Sequence, residues 1–336
     1  MPCSLLLLMM STDLKAIARL GPRACAMLLS GTFGIVVGGP LALALFQSWL
    51  DPQAWKGLGA LAGSWIGGGS NMMAIKEGVN CPSEVFSPVI IVDSVVGYGW
   101  MSVMIALSGY QVVVDRWNRA DRRVIEELNL RMATYQKENS VPLTLLSFAM
   151  MLGIGFVASW CCMWLGRQIP EWGSVFSEFT YGVLCVVFVG LWLSFTPARR
   201  LENEGASAVA YGGLYLMTAT MGAAGNLYQI LEAPLFLAVG VVWVAFHATC
   251  LVVAACLLRA PMFLFATGSQ GNIGGVVSTP VVAGVFQPSL APVGILMGVL
   301  GNIVGTPAGL LCAQLMSWVA HAYFGDAADG PPPPPV

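Results

Sequence analysis

The sequence predicts an all-α polytopic membrane protein built from inverted repeats that carry glycine-broken re-entrant hairpins or discontinuous helices. Three observations carry that expectation. Only 10% of the 336 residues are charged while 57% are hydrophobic, against roughly 25% charge in an ordinary soluble domain. Uncharged stretches of bilayer length recur along the chain. Two stretches rich in glycine and small polar residues stand at matching places in its two halves.

Taken in order, residues 1–12 amount to half a span, and 24–46 is the first apolar run long enough to cross a hydrocarbon core of roughly 30 Å. Further runs cover 86–112, 143–165, 174–196, 235–257 and 290–318. A weaker one covers 207–224. Between these lie the glycine-rich stretches 57–80 and 262–285, each read as a hairpin that dips in and returns to the same face. Residues 113–140 hold five of the eleven arginines and form a polar linker, and the end of the chain, GDAADGPPPPPV, reads as a disordered proline-rich tail.

The repeat rests on order and spacing. DLKAIARLGP from Asp13 to Pro22 recurs as NLYQILEAP from Asn226 to Pro234, and each is followed by a span, a glycine-rich stretch opening on Gly63-Ser64 or Gly268-Ser269, a proline and a long span. Pro292 follows Pro88 by 204 residues, and Gly301 follows Gly97 by the same interval. Such periodicity marks a duplicated unit. Lysines and arginines near span ends set orientation. Lys15, Arg19, Arg23, Arg116, Arg199, Arg200 and Arg259 agree on one inside face only if 57–80 and 262–285 are hairpins, and five crossings then separate the copies. An odd number inverts them.

The organisation that follows is a first repeat at 1–112, the linker at 113–140, a second repeat at 141–320 and the tail at 321–336. The second copy has three spans before Asn226 whereas the first has half of one before Asp13, so the first repeat is expected to be short of its N-terminal spans.

Composition also narrows the partners to the lipid bilayer and a small-molecule solute. A net charge of −2 gives no basic surface for nucleic acid. Seven of the nine cysteines (Cys25, Cys161, Cys162, Cys185, Cys250, Cys256, Cys312) lie in apolar runs and read as small hydrophobes. His247 sits inside an uncharged span, but with His321 as the one other histidine no histidine metal site can be assembled. No cofactor is expected beyond a coupling Na+ or H+.

The candidate site is the pair of hairpin tips. In GSWIGGGSNMMAIKEG, the glycines Gly67, Gly68 and Gly69 break a helix just before Ser70 and Asn71. Non-helical backbone at membrane depth is tolerated where protein or a hydrated cavity covers it, and its free N–H and C=O groups are then available to ions or substrate. The second stretch, GSQGNIGGVVSTP, offers Gln270, Asn272, Gly274, Gly275, Ser278 and Thr279. A primary amide in an apolar segment needs several partners, which singles out Asn71 and Asn272. Asp93 is the acid inside span 86–112 and is expected to bind a cation or carry a proton, with Ser94 and Tyr98 as its local structural partners. Asn302 lines the same cavity from the second copy, supported by Thr306, Glu77 and Asn226.

These blocks, with SGTFGIVVGGPLAL and GVFQPSLAPVGILMGVLGNIVGTPAG, resemble the YjcL-like family of uncharacterised integral membrane proteins over about residues 5–320. More distantly the pattern is similar to sodium-coupled glutamate and hydroxycarboxylate symporters. That likeness implies that Gly67 to Asn71 and Gly271 to Gly275 are the two tips and that both touch ion and substrate. The sequence departs from it in having no arginine inside the later spans to hold a carboxylate. A secondary transporter moving a small solute, a carboxylate or an amino acid, is the expected function. Its rivals are a channel or non-transporting membrane protein and an inactive truncated member. An intramembrane enzyme is not expected, because no paired acids, HExxH or Ser/His arrangement is present.

Overall fold

The computed structural model describes residues 2–12, 20–120, 142–172, 175–210, 212, 213, 216, 233–287 and 290–329. Among them the helices are α1 (Pro2–Met10), α2 (Pro22–Phe46), α3 (Ala54–Gly67), α4 (Gly69–Gly78), α5 (Ser83–Leu107), α6 (Gln111–Trp117), α7 (Leu145–Gly166), α8 (Glu178–Leu193), α9 (Ala233–Leu258), α10 (Met262–Ile273), α11 (Gly275–Phe286) and α12 (Ala291–Phe324). Five helices among the described residues are long and apolar enough to cross a membrane, and the pair Glu178–Leu193 with Pro197–Glu204, bent by 91°, raises this to six. The protein is an integral, multi-pass membrane protein. The six expected crossings coincide with α2, α5, α7, α8, α9 and α12. The motif at Asp13 to Pro22, its partner at Asn226 to Pro234 and the weak span at 207–224 fall mainly outside the described residues, as do residues 330–336 of the tail, whereas 321–329, expected to be disordered, form the end of α12 and a turn packed on α3.

The glycine-rich stretches each form two short helices rather than one long one. At Gly63 a Cβ would lie 2.6 Å from the Ile75 side chain and 2.8 Å from the carbonyl oxygen of Asn71. A single straight helix would hold Gly63 and Ile75 about 18 Å apart, so α3 and α4 fold back on each other. The same holds for α10 and α11, where the Gln270 side chain reaches Ser278 at 2.8 Å.

Helix α12 is the ruler against which both hairpins are set. Its glycines at 294, 298, 301, 305 and 309 recur at helical spacing, so one face presents bare backbone. Gly294 meets Thr279 and Pro280, Gly298 meets Gly275 and Val276, Gly301 meets Gly271 and Ile66, Gly305 meets Gly67 and Asn71, and Gly309 meets Gly63 and Ile75. Hairpin α10–α11 therefore lies along the N-terminal half of α12 and hairpin α3–α4 along the C-terminal half. They approach from opposite ends, and their breaks meet near its middle.

Helix α5 runs the other way past the same pair. Its start packs on α3, where a Cβ at Gly57 would sit 2.9 Å from the carbonyl oxygen of Val85, and its later turns reach α10 through Trp100 and Ser269. Helices α2 and α9 are antiparallel neighbours: Gly31 and Gly34 face His247, while Gly38 faces Trp243 and Phe246. Trp65 and Trp243, ring centroids 5.0 Å apart, fill the centre. Beside this bundle, α1 is buried between α7 and α8, with Cys3 and Leu7 against Gly155 and Met9 against Gly190.

The base of each hairpin is tied by the extension of a long helix. Beyond α5, Asp115 in α6 accepts a hydrogen bond from the Met262 N–H at 2.7 Å, and Asn118 donates to the carbonyls of Ala255 and Ala260, both at 3.0 Å. These contacts satisfy terminal backbone groups of α9 and α10. Beyond α12, the turn at Gly325–Asp329 accepts from the Trp55 indole through Ala328 at 2.9 Å and from the Lys56 ammonium through Asp329 at 2.9 Å.

Candidate functional site

Both breaks have a backbone reason. Gly68 adopts φ 88° and ψ 177°, a region that a side chain makes costly and that glycine occupies freely. Gly275 has φ 60°. A Cβ at Gly275 would lie 3.6 Å from the Cα of Gly68 and 3.9 Å from the Gly67 carbonyl oxygen, so the two breaks touch. Gly301 lies beneath them, where a Cβ would overlap the Gly271 carbonyl oxygen and come within 2.8 Å of that of Ile66. The carbonyl ends of α3 and α10 thus converge on α12, while α4 and α11 begin at the breaks with their N–H ends. Partial charges of both signs meet at one place.

The amide side chains fix this crossing. Asn71 is fully buried; its amide donates to the Gly67 carbonyl at 2.8 Å and more weakly to Asn302 Oδ1 at 3.4 Å, and its Oδ1 accepts from the Thr306 hydroxyl. Tip one is therefore fastened to α12. Asn272, also fully buried, donates to the Thr32 hydroxyl oxygen at 2.9 Å and lies 3.5 Å from the Ile66 carbonyl. Because the Thr32 hydroxyl itself donates to the Leu28 carbonyl, it can only accept from Asn272, which sets the orientation of that amide. Tip two is fastened to α2.

Two oxygens in tip two stay without a donor: Asn272 Oδ1 and Gln270 Oε1, both in buried side chains. A buried carbonyl oxygen without a partner costs about 1–3 kcal/mol. Thr279 folds onto the carbonyl of Gly275, and Ser278 accepts from Gln270 across Gly274. Ser70 is buried at the start of α4, whereas Gly69 is exposed with no neighbour within 4 Å of a built Cβ. The crossing is closed by α12 below and open beside Gly69.

The structure brings Gly67, Gly68, Asn71, Asn272, Gly275, Asn302 and Thr306 together, with Gly69, Ser70, Gly274, Gln270, Ser278 and Thr279 around them. It places Asp93 beside the last turn of α3, one turn short of the break at Gly68, and Glu77 away from the tips. Asp93 faces Ser64 and Trp65 on α3 rather than Ser94 or Tyr98. Glu77 pairs with Lys76 at 2.9 Å at the far end of α4. Asn226 lies outside the described residues. Among the described residues no three His, Cys, Asp or Glu side chains gather into a metal site.

Sequence reasoning passed over one group beside tip two. His247 on α9 is fully buried, with Nδ1 2.9 Å from the Gly31 carbonyl oxygen and Nε2 2.9 Å from the Ser269 hydroxyl, which also accepts from the Trp100 indole at 2.8 Å. The usable signal was that a histidine inside an uncharged span must find partners for both ring nitrogens.

The family model for proteins of unknown function named DUF819 matches residues 1–319. The chain belongs to the DUF819 family. No curated protein and no solved structure matches it. The DUF819 match spans both hairpins and the stretch of α12 that carries them, so every candidate residue lies within it.

Proposed function

We propose that this DUF819 protein is a secondary transporter that moves a small solute, a carboxylate or an amino acid, coupled to Na+ or H+. The observation that carries the reading is the meeting of two glycine-broken hairpins at Gly301 after approaching from opposite ends of α12. Inverted repeats whose interrupted helices converge near the bilayer midplane are a recurrent build of such carriers. The antiparallel run of α5 and α12 past the same hairpins supports an inverted pair of repeats, with the hairpins as its re-entrant elements. The looser analogy of the chain's hairpin pattern with sodium-coupled glutamate and hydroxycarboxylate symporters points the same way. In this reading the peptide ends at Gly67–Ser70 and Gly274–Gly275 and the amides of Asn71, Asn272 and Asn302 hold solute and ion, and one bundle rocks against the other to alternate access.

The test is uptake of a labelled panel of small carboxylates and amino acids into proteoliposomes under an imposed Na+ or H+ gradient. Asn71→Ala and Asn272→Ala are expected to abolish uptake while the protein still inserts. Unchanged uptake in both variants rejects the tip assignment, and a wild-type protein that accumulates no member of the panel under either gradient counts against transport.

A further inference from the structure

The ladder between α9 and α2 repeats once. Trp243 donates its indole N–H to the Ile35 carbonyl at 2.9 Å, and one turn later His247 makes the matching bond to the Gly31 carbonyl at 2.9 Å. A carbonyl only accepts, so Nδ1 of His247 carries the hydrogen and Nε2 is a bare lone pair. An indole would complete the ladder as well as an imidazole does. What the imidazole adds is that lone pair, aimed at the Ser269 hydroxyl, which in turn accepts from Trp100 on α5.

The neutral ring is paired at both nitrogens, and what its surroundings offer a cation is one unpaired oxygen. Asn272 Oδ1 has no donor. A Cβ at Gly31 would overlap that same oxygen and come within 2.8 Å of His247 Cε1, so the unpaired oxygen and the Cε1–H edge share the space that glycine leaves open. The Cε1–H becomes strongly positive when the ring is protonated. Around the ring, α9 and α10 carry no Asp, Glu, Lys or Arg, α2 carries Arg23 in its first turn alone, and the acids of α5 are Glu84 near its start and Asp93, which faces Ser64 and Trp65. Cys250 lies one turn along α9, with its Cβ against Gly34. No carboxylate on these helices faces the ring to offset its charge.

We propose that His247 is a proton-binding site beside tip two, its imidazolium held by the Gly31 carbonyl and Asn272 Oδ1, and that the proton is the coupling ion of the transport reading. A proton from water bonds to Nε2, and Ser269 changes from donor to acceptor toward the ring. Its freed hydroxyl hydrogen turns to a backbone carbonyl of α10, as serines in helices do. Because Ser269 and Asn272 both belong to α10, the protonation state bears directly on how tip two is held. This inference rests on the transporter reading only for the role of the proton; the site itself stands on its own geometry.

The experiment is a pH titration of the protein in nanodiscs, followed by nitrogen NMR of labelled histidine with protons as the sole added ligand. The chain has two histidines, and His321→Gln assigns the signals. The expected result is a reversible change of the His247 signal from the Nδ1–H tautomer to the doubly protonated ring while the protein stays folded. Asn272→Ala is expected to weaken proton affinity roughly tenfold, about one pH unit. A His247 signal that stays neutral until the protein unfolds overturns the proposal, as does a midpoint unmoved in a folded Asn272→Ala variant. If that variant does not fold, the wild-type titration alone decides. Titration of His247 without gradient-driven uptake of any solute sinks the transporter reading and the coupling role but keeps the site. Uptake driven by Na+ with no His247 titration does the reverse.

Discussion

Gly97 and Gly301 hold matching places in the two halves, yet a methyl group at each would meet different surroundings. At Gly301 it would collide with the carbonyls of Gly271 and Ile66, whereas at Gly97 the nearest atom is a methyl of Ile273 at 3.8 Å. Gly301→Ala is therefore expected to destabilise the protein by about 1–3 kcal/mol, because backbone has to move, while Gly97→Ala is neutral or slightly stabilising through helix propensity. Melting temperatures of the two variants in detergent separate these outcomes. The spacing of these glycines could be read from the chain, but the difference between them is made by residues 30 or more positions away. Asp93 teaches the same lesson. Its residue type announced a need for partners, and local spacing pointed to Ser94 and Tyr98, but the packing of α5 on α3 supplies Ser64 and Trp65. Asn71 and Asn272 were conspicuous for the same reason, a primary amide among apolar neighbours, while Thr32 as a partner of Asn272 emerges only once α2 lies beside tip two.

At the scale of elements, the two hairpins were legible because three consecutive glycines at 67–69 and a pair at 274–275 interrupt otherwise apolar helices. The end of α5 was not legible. The helical path continues to Trp117, into a stretch read as linker, because Asp115 and Asn118 find backbone partners on α9, α10 and the turn between them. Opposed hairpins make a topological prediction. In a cysteine-free background, single cysteines at Gln53 and Asn80 are expected to react with a membrane-impermeant maleimide from one face of sealed vesicles, and those at Arg259 and Gln287 from the other. Labelling of Gln53 and Asn80 from different faces would mean that α3–α4 crosses the membrane, and labelling of all four from one face would remove the opposed arrangement.

Across the whole molecule, α5 and α12 each run past both hairpins, and each closes the base of one with its C-terminal extension, α5 that of α10–α11 and α12 that of α3–α4. Trp55→Phe removes the indole bond to Ala328 at a cost of about 1 kcal/mol. Amide hydrogen exchange over residues 325–329 is expected to quicken, with tip two unaffected. Asp115→Ala, which uncaps α10, is expected to quicken exchange at the start of α10 and leave the base of α3 unchanged. Exchange that rises everywhere in either variant would mean that the two clamps are not separate. The glycine face of α12 sets how such a frame can move. Interlocked side chains act like gear teeth, and displacement must lift each out of its socket. Here the bearing surface is smooth backbone from Gly294 to Gly309, so along that face the register is held by the Asn71 amide hooked between Asn302 and Thr306, and at the end of α12 by the Trp55 and Lys56 ties.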